Sequence, residues 1–284
     1  MAAGTLKVAA VGHVEWVQFG RVRLVPRAGE VAHARDAFEE PAGGGAVAAV
    51  QLARLAGASL LITALGTDDA ARRSLRRLGE LGVTVRAAER DLPTRGATTL
   101  TDERRERTII TFGERLQARG ADAQLPWKEL ARMDAVYFTA GDVAALQAAR
   151  AARVLVASPR ARDALGHGVR LDALILSDDD EIEARAAEGV EREADAVLRT
   201  RGERGGVFQT RAGERGSWAA CAPPAGPAPD ADSYGCGDSF AAGVAYALGR
   251  GMSLRDAISL GARCGAVCAT GRGPYERQLT APFA

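Results

Sequence analysis

The sequence predicts an α/β fold, with one mainly parallel sheet and helices packed on both of its faces. Short apolar runs alternate with helical stretches over most of the chain, which is the pattern of repeated βα units. No internal repeat or linker interrupts that alternation, so the 284 residues are expected to form a single domain, 1–284. A glycine-rich turn entering a strongly apolar helix near the C-terminus marks the place to look for chemistry.

Leu6–Val11 is a short apolar run ending at Gly12, a buried strand followed by a turn. Residues Val17 to Ala37 alternate loosely and are broken by Pro26 and Gly29, which predicts exposed edge strands. Gly43-Gly44-Gly45 opens a helix over Ala46–Leu55, and Leu60–Ala64 is the next strand. Ala70–Leu81 carries Leu75, Leu78 and Leu81 at helical spacing. Gly96–Thr101 and Thr108–Phe112 flank a polar turn and read as a hairpin. Strands at 135–139, 153–157, 173–176 and 196–200 then alternate with helices at 143–150 and 180–187. A second hairpin, 206–210 with 216–221, leads through the Pro-rich loop 222–231 to helices at 239–248 and 254–269.

Lys+Arg 37 against Asp+Glu 36 leaves a net charge of +1, so no global field favours nucleic acid or a membrane surface. The basic residues are nearly all arginine, the lysines being Lys7 and Lys128. No apolar run approaches the roughly 20 residues of a membrane span, and Met1–Val11 lacks the layout of a signal peptide. Four cysteines in a chain of this length do not form a disulfide framework. Cys264 and Cys268 lie four apart on one helix, where core packing is the expected role. The expectation is a reduced, soluble, cytoplasmic protein.

The informative segment is Asp232-Ser233-Tyr234-Gly235-Cys236-Gly237-Asp238-Ser239-Phe240. It puts Gly235–Asp238 at a helix N-terminus, where backbone N–H groups lack intrahelical partners and the dipole adds positive charge. Glycines at 235 and 237 let a phosphate approach the backbone closely. Asp238 could there accept the proton of an attacking hydroxyl, which with magnesium and positioning is most of what phosphoryl transfer needs. The same pattern also suits an ordinary Gly-rich turn with Asp238 as a helix cap.

Asp232–Phe240 closely resembles the Asp-Thr/Ser-x-Gly-x-Gly-Asp-Ser/Thr-Phe signature of ribokinase-type (PfkB) carbohydrate kinases. Other segments resemble that family in its own order along nearly the whole chain. Gly43-Gly44-Gly45-Ala46 is similar to its N-terminal glycine motif and Gly66-Thr67-Asp68 to its G-x-D. Pro93-Thr94-Arg95-Gly96-Ala97 through Arg107-Thr108-Ile109 is similar to its lid hairpin. Ser177–Glu181 resembles its P-N-x-x-E, and Thr200–Gly205 its T-x-G-x-x-G. Neither glycine cluster completes a G-x-G-x-x-G dinucleotide fingerprint.

The resemblance implies a ribokinase-like fold, with a β-rich lid near 17–37 and 96–112 and an ATP-dependent transfer to an alcohol. It implies Asp238 as base and the amides of Gly235, Cys236 and Gly237 as anion hole. Thr200, Gly202 and Gly205 would follow the nucleotide, and Gly271 and Gly273 its adenine side. Asp178 and Glu181 would hold Mg2+ through water, and Asp232, with Ser233, a monovalent cation such as K+. Small-molecule acceptor contacts are expected from His13, Glu15, Gly44, Gly45 and Asp68, and a homodimer through the lid follows from the same likeness.

Two positions depart from the pattern. Val17 stands near the usual sugar-binding Asp, and Ala48 where the glycine motif normally reaches an Asn. An apolar site discriminates poorly for hydroxyls. Glu15, His13, Trp16 and Asp68 are therefore expected to form a different acceptor site, with Trp16 available to stack on a ring. Arg95 replaces a glycine of the lid and either meets an anionic acceptor group or faces solvent. The alternatives to a sugar kinase are a nucleoside or vitamin-precursor kinase, and a non-catalytic relative that keeps the fold.

Overall fold

The computed structural model describes residues 6–223 and 226–281. Residues 1–5 of the expected N-terminal approach, and 224 and 225 of the expected Pro-rich loop, lie outside the described residues. In chain order the first elements are β1 (Val8–Val11), β2 (Glu15–Arg21), β3 (Arg35–Ala42) and α1 (Gly44–Ala56). They are followed by β4 (Ser59–Leu65), α2 (Asp69–Glu80), β5 (Val83–Glu89), β6 (Gly96–Thr101) and β7 (Arg107–Phe112). Next come β8 (Ala135–Phe138), α3 (Val143–Ala149), β9 (Leu155–Ala157), β10 (Leu171–Ser177), α4 (Glu181–Ala187) and β11 (Ala194–Thr200). The chain closes with β12 (Gly206–Thr210), β13 (Arg215–Trp218), α5 (Cys236–Gly249) and α6 (Leu254–Cys268).

Nine strands form the main sheet in the order β13-β12-β11-β10-β9-β8-β1-β4-β5. All neighbours are parallel except β11–β12 and β12–β13. Alternate side chains of each strand feed two cores. Ala10, Tyr137, Val156 and Ile175 pack with Leu52 of α1 and Phe240 and Val244 of α5. Val11, Phe138, Leu155 and Leu174 pack on the opposite face with Leu130 and Leu146. β4 is buried along its whole length, which is why its run reads as largely apolar sequence, with Ser59 and Thr63 buried among the rest. Cys264 and Cys268 are fully buried, and Cys264 packs in the core with α5.

β3-β2-β6-β7 form a separate four-stranded sheet, antiparallel at its outer pairs and parallel between β2 and β6. This is the small β-rich unit that the sequence led one to expect, but its boundaries differ. It begins at Glu15 and runs on to Ala42, while residues 22–34 are a loop between two strands. Nor is β2 exposed throughout: Glu15, Val17 and Phe19 are buried while Gln18 is exposed, the alternation of a sheet with one covered face. β5 went unread because it is the edge strand of the main sheet, and its mixed sequence reflects partial exposure. On α2, Leu78 is buried but Leu75 is 41% exposed, so the leucine stripe is narrower than its spacing suggested.

Among the described residues, no helix is long and apolar enough to cross a membrane.

Candidate active site

Strands β1, β8, β9, β10 and β11 run parallel, so their carboxyl ends share one edge of the sheet. That edge is where open α/β sheets bind ligands. Its connections carry Gly12 and His13 after β1, Thr139 after β8, Arg160 after β9, residues 178–183 after β10 and 200–205 after β11. Two helices begin at the same edge. Gly235 caps α5 with φ 81, the left-handed region that favours glycine. The first bond of the helix runs from the Ser239 amide to the Gly235 carbonyl at 2.9 Å, and before it the Cys236 amide makes a long bond to the Ser233 carbonyl at 3.5 Å, so the turn presents the loosely held donors of a helix start. Nothing stands within 4 Å of the position a Cβ would take on Gly237, so that side of the turn is open.

Asp238 lies one turn into this helix start. A Cβ on Gly44, the first residue of α1, would come 3.0 Å from Asp238 Oδ1. The N-termini of α1 and α5 thus converge on one carboxylate. The approach requires bare backbone on α1, since a Cβ on Gly45 would meet the Gly12 backbone at 2.6 Å. The Tyr137 hydroxyl donates to Asp238 Oδ1 at 3.3 Å. Burial raises the Asp238 pKa above the ordinary value, opposed by Arg160, by Tyr137 and by Arg107. A carboxylate so placed is basic for an aspartate and can accept a proton.

The residues expected to form the acceptor site divide into two groups. His13 and Glu15 are both buried, with Nε2 and Oε1 3.6 Å apart. Arg95 Nη1 meets the same Glu15 oxygen at 3.2 Å and its Nη2 donates to Thr111 Oγ1 at 2.7 Å, so the solvent-facing reading of Arg95 is corrected. Burial raises the Glu15 pKa against the pull of Arg95, Arg115, and Arg160. Burial and the same three arginines hold the His13 pKa well below its usual value, so this imidazole is neutral at neutral pH.

Asp68 and Trp16 do not join this group. Asp68 caps α2 through the Ala71 amide at 3.0 Å and accepts from the Thr94 hydroxyl at 2.7 Å and the Thr94 amide at 2.8 Å. Burial opposes its charge, but those bonds prevail and hold its pKa below the ordinary value. Asp68 fastens α2 to the turn before β6, and its oxygens are spent on that. Trp16 points to the other face of β2, where the Arg73 guanidinium lies 4.1 Å from its ring centroid.

The acidic run after β10 is placed differently from expectation. Asp178 is held between Arg199 at 3.1 Å and Arg201 at 2.7 Å, and the Glu181 side chain is 86% exposed with Arg185 as its partner. Two residues further on, Asp180 caps α4, and Glu183 is buried and accepts from the Ser177 amide at 2.8 Å. Arg160 bridges the pair, with Nε 2.6 Å from Glu183 and Nη2 3.2 Å from Asp180. Burial raises the Glu183 pKa, Arg160 lowers it, and the charge of Asp238 reaches it. The spacing Asp180-x-x-Glu183 is therefore the one that faces the centre, two residues on from Asp178-x-x-Glu181.

Thr200 ends β11, and Gly202, with φ 54, has no atom near its missing side chain. Gly205, with φ 77, closes the turn where a Cβ would strike the Trp218 carbonyl, so its role is to let the chain reverse into β12. Gly271 and Gly273 meet the Asp232 loop: the Asp232 amide donates to the Gly271 carbonyl at 3.1 Å, and the Gly273 amide donates to Asp232 Oδ2 at 2.8 Å. Asp232 Oδ1 accepts from the Tyr234 amide at 2.8 Å, and Arg107 Nη1 lies 2.6 Å from Ser233 Oγ and 3.3 Å from its carbonyl oxygen. Each Asp232 oxygen accepts one amide bond and so keeps a further lone pair, while Arg107 is bonded to Ser233.

Tyr137, Arg115, Arg160 and Glu183 are site residues that sequence reading missed. Arg160 had a signal, being a cation directly after an apolar strand that ends on the same edge as Asp238.

A half-buried carboxylate of raised pKa, two convergent helix starts and an edge lined by arginines have the chemistry that phosphoryl transfer on an α/β sheet calls for. The profile of the pfkB family carbohydrate kinases matches residues 5–281. The chain belongs to that family. No curated protein matches it by sequence. Among solved structures it is similar to a putative ribokinase from Agrobacterium tumefaciens, at TM-score 0.75 and 20% identity over 96% of this chain and 94% of that one. It is also similar to the Arabidopsis thaliana ribokinase complexed with ribose and ATP, at TM-score 0.72 and 18% identity over 95% and 94%. Adenosine kinase from Sinorhizobium meliloti gives 0.73 and 17% over 95% of each chain. The fold is ribokinase-like.

Proposed function

We propose that this protein is an ATP-dependent kinase that moves the γ-phosphoryl group to a hydroxyl of a sugar or sugar-like small molecule. The observation that carries the reading is the position of Asp238 at the meeting of the α1 and α5 N-termini, beside Tyr137. Asp238 takes the proton of the acceptor hydroxyl as its oxygen bonds to the γ-phosphorus and the bond to the β-phosphate oxygen breaks. The amides of Gly235, Cys236 and Gly237 hold the charge that spreads over the transferring group. Thr200 and Gly202 border the nucleotide, as the open side of Gly202 allows. Magnesium would neutralise phosphate charge, and Asp180 and Glu183 are the carboxylates beside the centre that could hold its waters.

The ribose and ATP complex of the Arabidopsis relative supports ATP and a sugar. The nucleoside alternative loses the support of Trp16, which lies under Arg73. ADP formation would be measured against neutral sugars, sugar acids, sugar phosphates and nucleosides. Acceptor-dependent ADP formation is expected. A protein that forms no ADP with any of them, nor with pyrimidine alcohols that stand for vitamin precursors, is the non-catalytic relative instead.

The four-stranded sheet supports the reading of a lid that excludes water from the transfer. Its outer strand β7 exposes Ile109, Ile110 and Phe112, an apolar edge that a second copy would cover in a homodimer. Sedimentation should give twice the monomer mass, and Ile110→Lys should return the protein to one chain. A wild-type monomer at micromolar concentration sinks the dimer reading.

A further inference from the structure

We infer that the acceptor carries a negatively charged group, a carboxylate or a phosphate ester, bound by Arg115 and Arg95 with Arg160 behind them. This deepens the kinase reading and rests on it for the word acceptor, though not for the anion site itself.

The three guanidinium groups come from separate parts of the chain. Arg95 precedes β6 and Arg115 follows β7, so both leave the ends of one hairpin of the small sheet, while Arg160 follows β9 of the main sheet. They meet at one place. Arg115 Nη1 donates to the Arg160 carbonyl at 3.0 Å. All three act electrostatically on both His13 and Glu15, and Arg95 and Arg115 repel each other.

Like charges brought together in a half-buried place are unfavourable without matching anions. Arg95 has Glu15, and Arg160 has Glu183 and Asp180. Among the described residues the one ion pair of Arg115 is with Asp163, at 4.0 Å, where the Asp163 side chain is 56% exposed, and Glu15 attracts it less strongly. One cation in the cluster is therefore poorly balanced, and it is three-quarters shielded from water. The buried Nδ1 of His13 and Nε of Arg95 likewise have no hydrogen-bond partner among the described residues.

The two positions where the family resemblance places sugar-binding polar residues are apolar in this chain. Val17 and Ala48 are fully buried apolar residues. Arginine forks match carboxylate and phosphate geometry, and they do not deprotonate when buried. The arrangement favours an acceptor anchored by charge at one end and presenting a hydroxyl to Asp238 at the other.

The test uses D-ribose, D-ribonate and D-ribose 5-phosphate, with D-fructose, D-gluconate and D-fructose 6-phosphate as the six-carbon set. Binding is measured by calorimetry with a non-hydrolysable ATP analogue and magnesium present, and turnover by ADP formation. At least one anionic member should bind about 100-fold more tightly than its neutral counterpart. Arg115→Gln should abolish that preference without changing the KM for ATP, and Arg115→Lys should restore part of it. The carboxylate and phosphate arms tell the two anion types apart. Equal binding of neutral and anionic members, no binding of any anionic member, or an unchanged preference in Arg115→Gln overturns the inference. Anion binding without ADP formation keeps the anion site and removes the kinase reading instead. Arg95→Gln serves as the second variant if thermal melting shows that Arg115→Gln does not fold.

Discussion

Asp238→Asn is expected to lower kcat by about three orders of magnitude, within the range a positioned general base supplies, while the KM for ATP stays close to wild type. The same change should raise thermal stability at neutral pH. Burial lifts the folded-state pKa of Asp238 above its unfolded value. The stability linked to that titration is then fully present below the unfolded pKa and disappears as pH rises through the folded one. At pH 7 the native protein holds a carboxylate that its surroundings disfavour, and Asn removes the charge while keeping the shape. The melting-temperature gap between the two proteins should be widest near pH 7 and close towards pH 4. A variant with native kcat, or one no more stable than wild type at pH 7, would falsify the role given to this residue.

Arg160→Gln should produce the next largest effect, in two readouts. Arg160 lowers the Asp238 pKa by its charge and bridges Glu183 and Asp180. Without it the acid limb of kcat/KM against pH moves to higher pH, because the base is protonated more readily. Glu183 also loses the cation that offsets its burial. Since the Arg160 side chain is 48% exposed, water screens part of that loss, and the cost is about 1–3 kcal/mol. Arg160→Lys keeps the charge and should leave the acid limb nearer its native position. If the limb stays fixed in Arg160→Gln, then Arg160 does not tune the base.

The alternation of strands and helices was legible because the strands of the main sheet are buried on both faces and advertise it as apolar runs. Where one face meets water the signal weakened, which is why β5 was missed and β2 was taken for an exposed strand. Asp238 was legible because helix start, glycines and carboxylate are contiguous in sequence. The acceptor side was not. Glu15 begins β2 while Arg95, Arg115 and Arg160 come from three connections, and the meeting of two sheets brings them together. The register of the acidic run was misread for a similar reason: four consecutive acids look alike in sequence, and the fold decides which of them turns inward. Gly271 and Gly273 resembled nucleotide contacts, and bonds the sequence did not foretell tie the Gly271 carbonyl and the Gly273 amide to Asp232.

The grip of Arg107 on Ser233 has a mechanical outcome. The hairpin that carries Arg107 also begins at Arg95, and Ser233 sits two residues before Gly235. On the far side of the small sheet, Glu39 and Glu40 of β3 are anchored to Arg73 and Arg77 of α2, so that side stays with the main body. The hairpin is laddered to β2 along the whole of β6, so it moves with the strand that carries Glu15. A movement of the small sheet as one unit would therefore pull on the chain before α5 through Ser233 while carrying Arg95 and Glu15 along together.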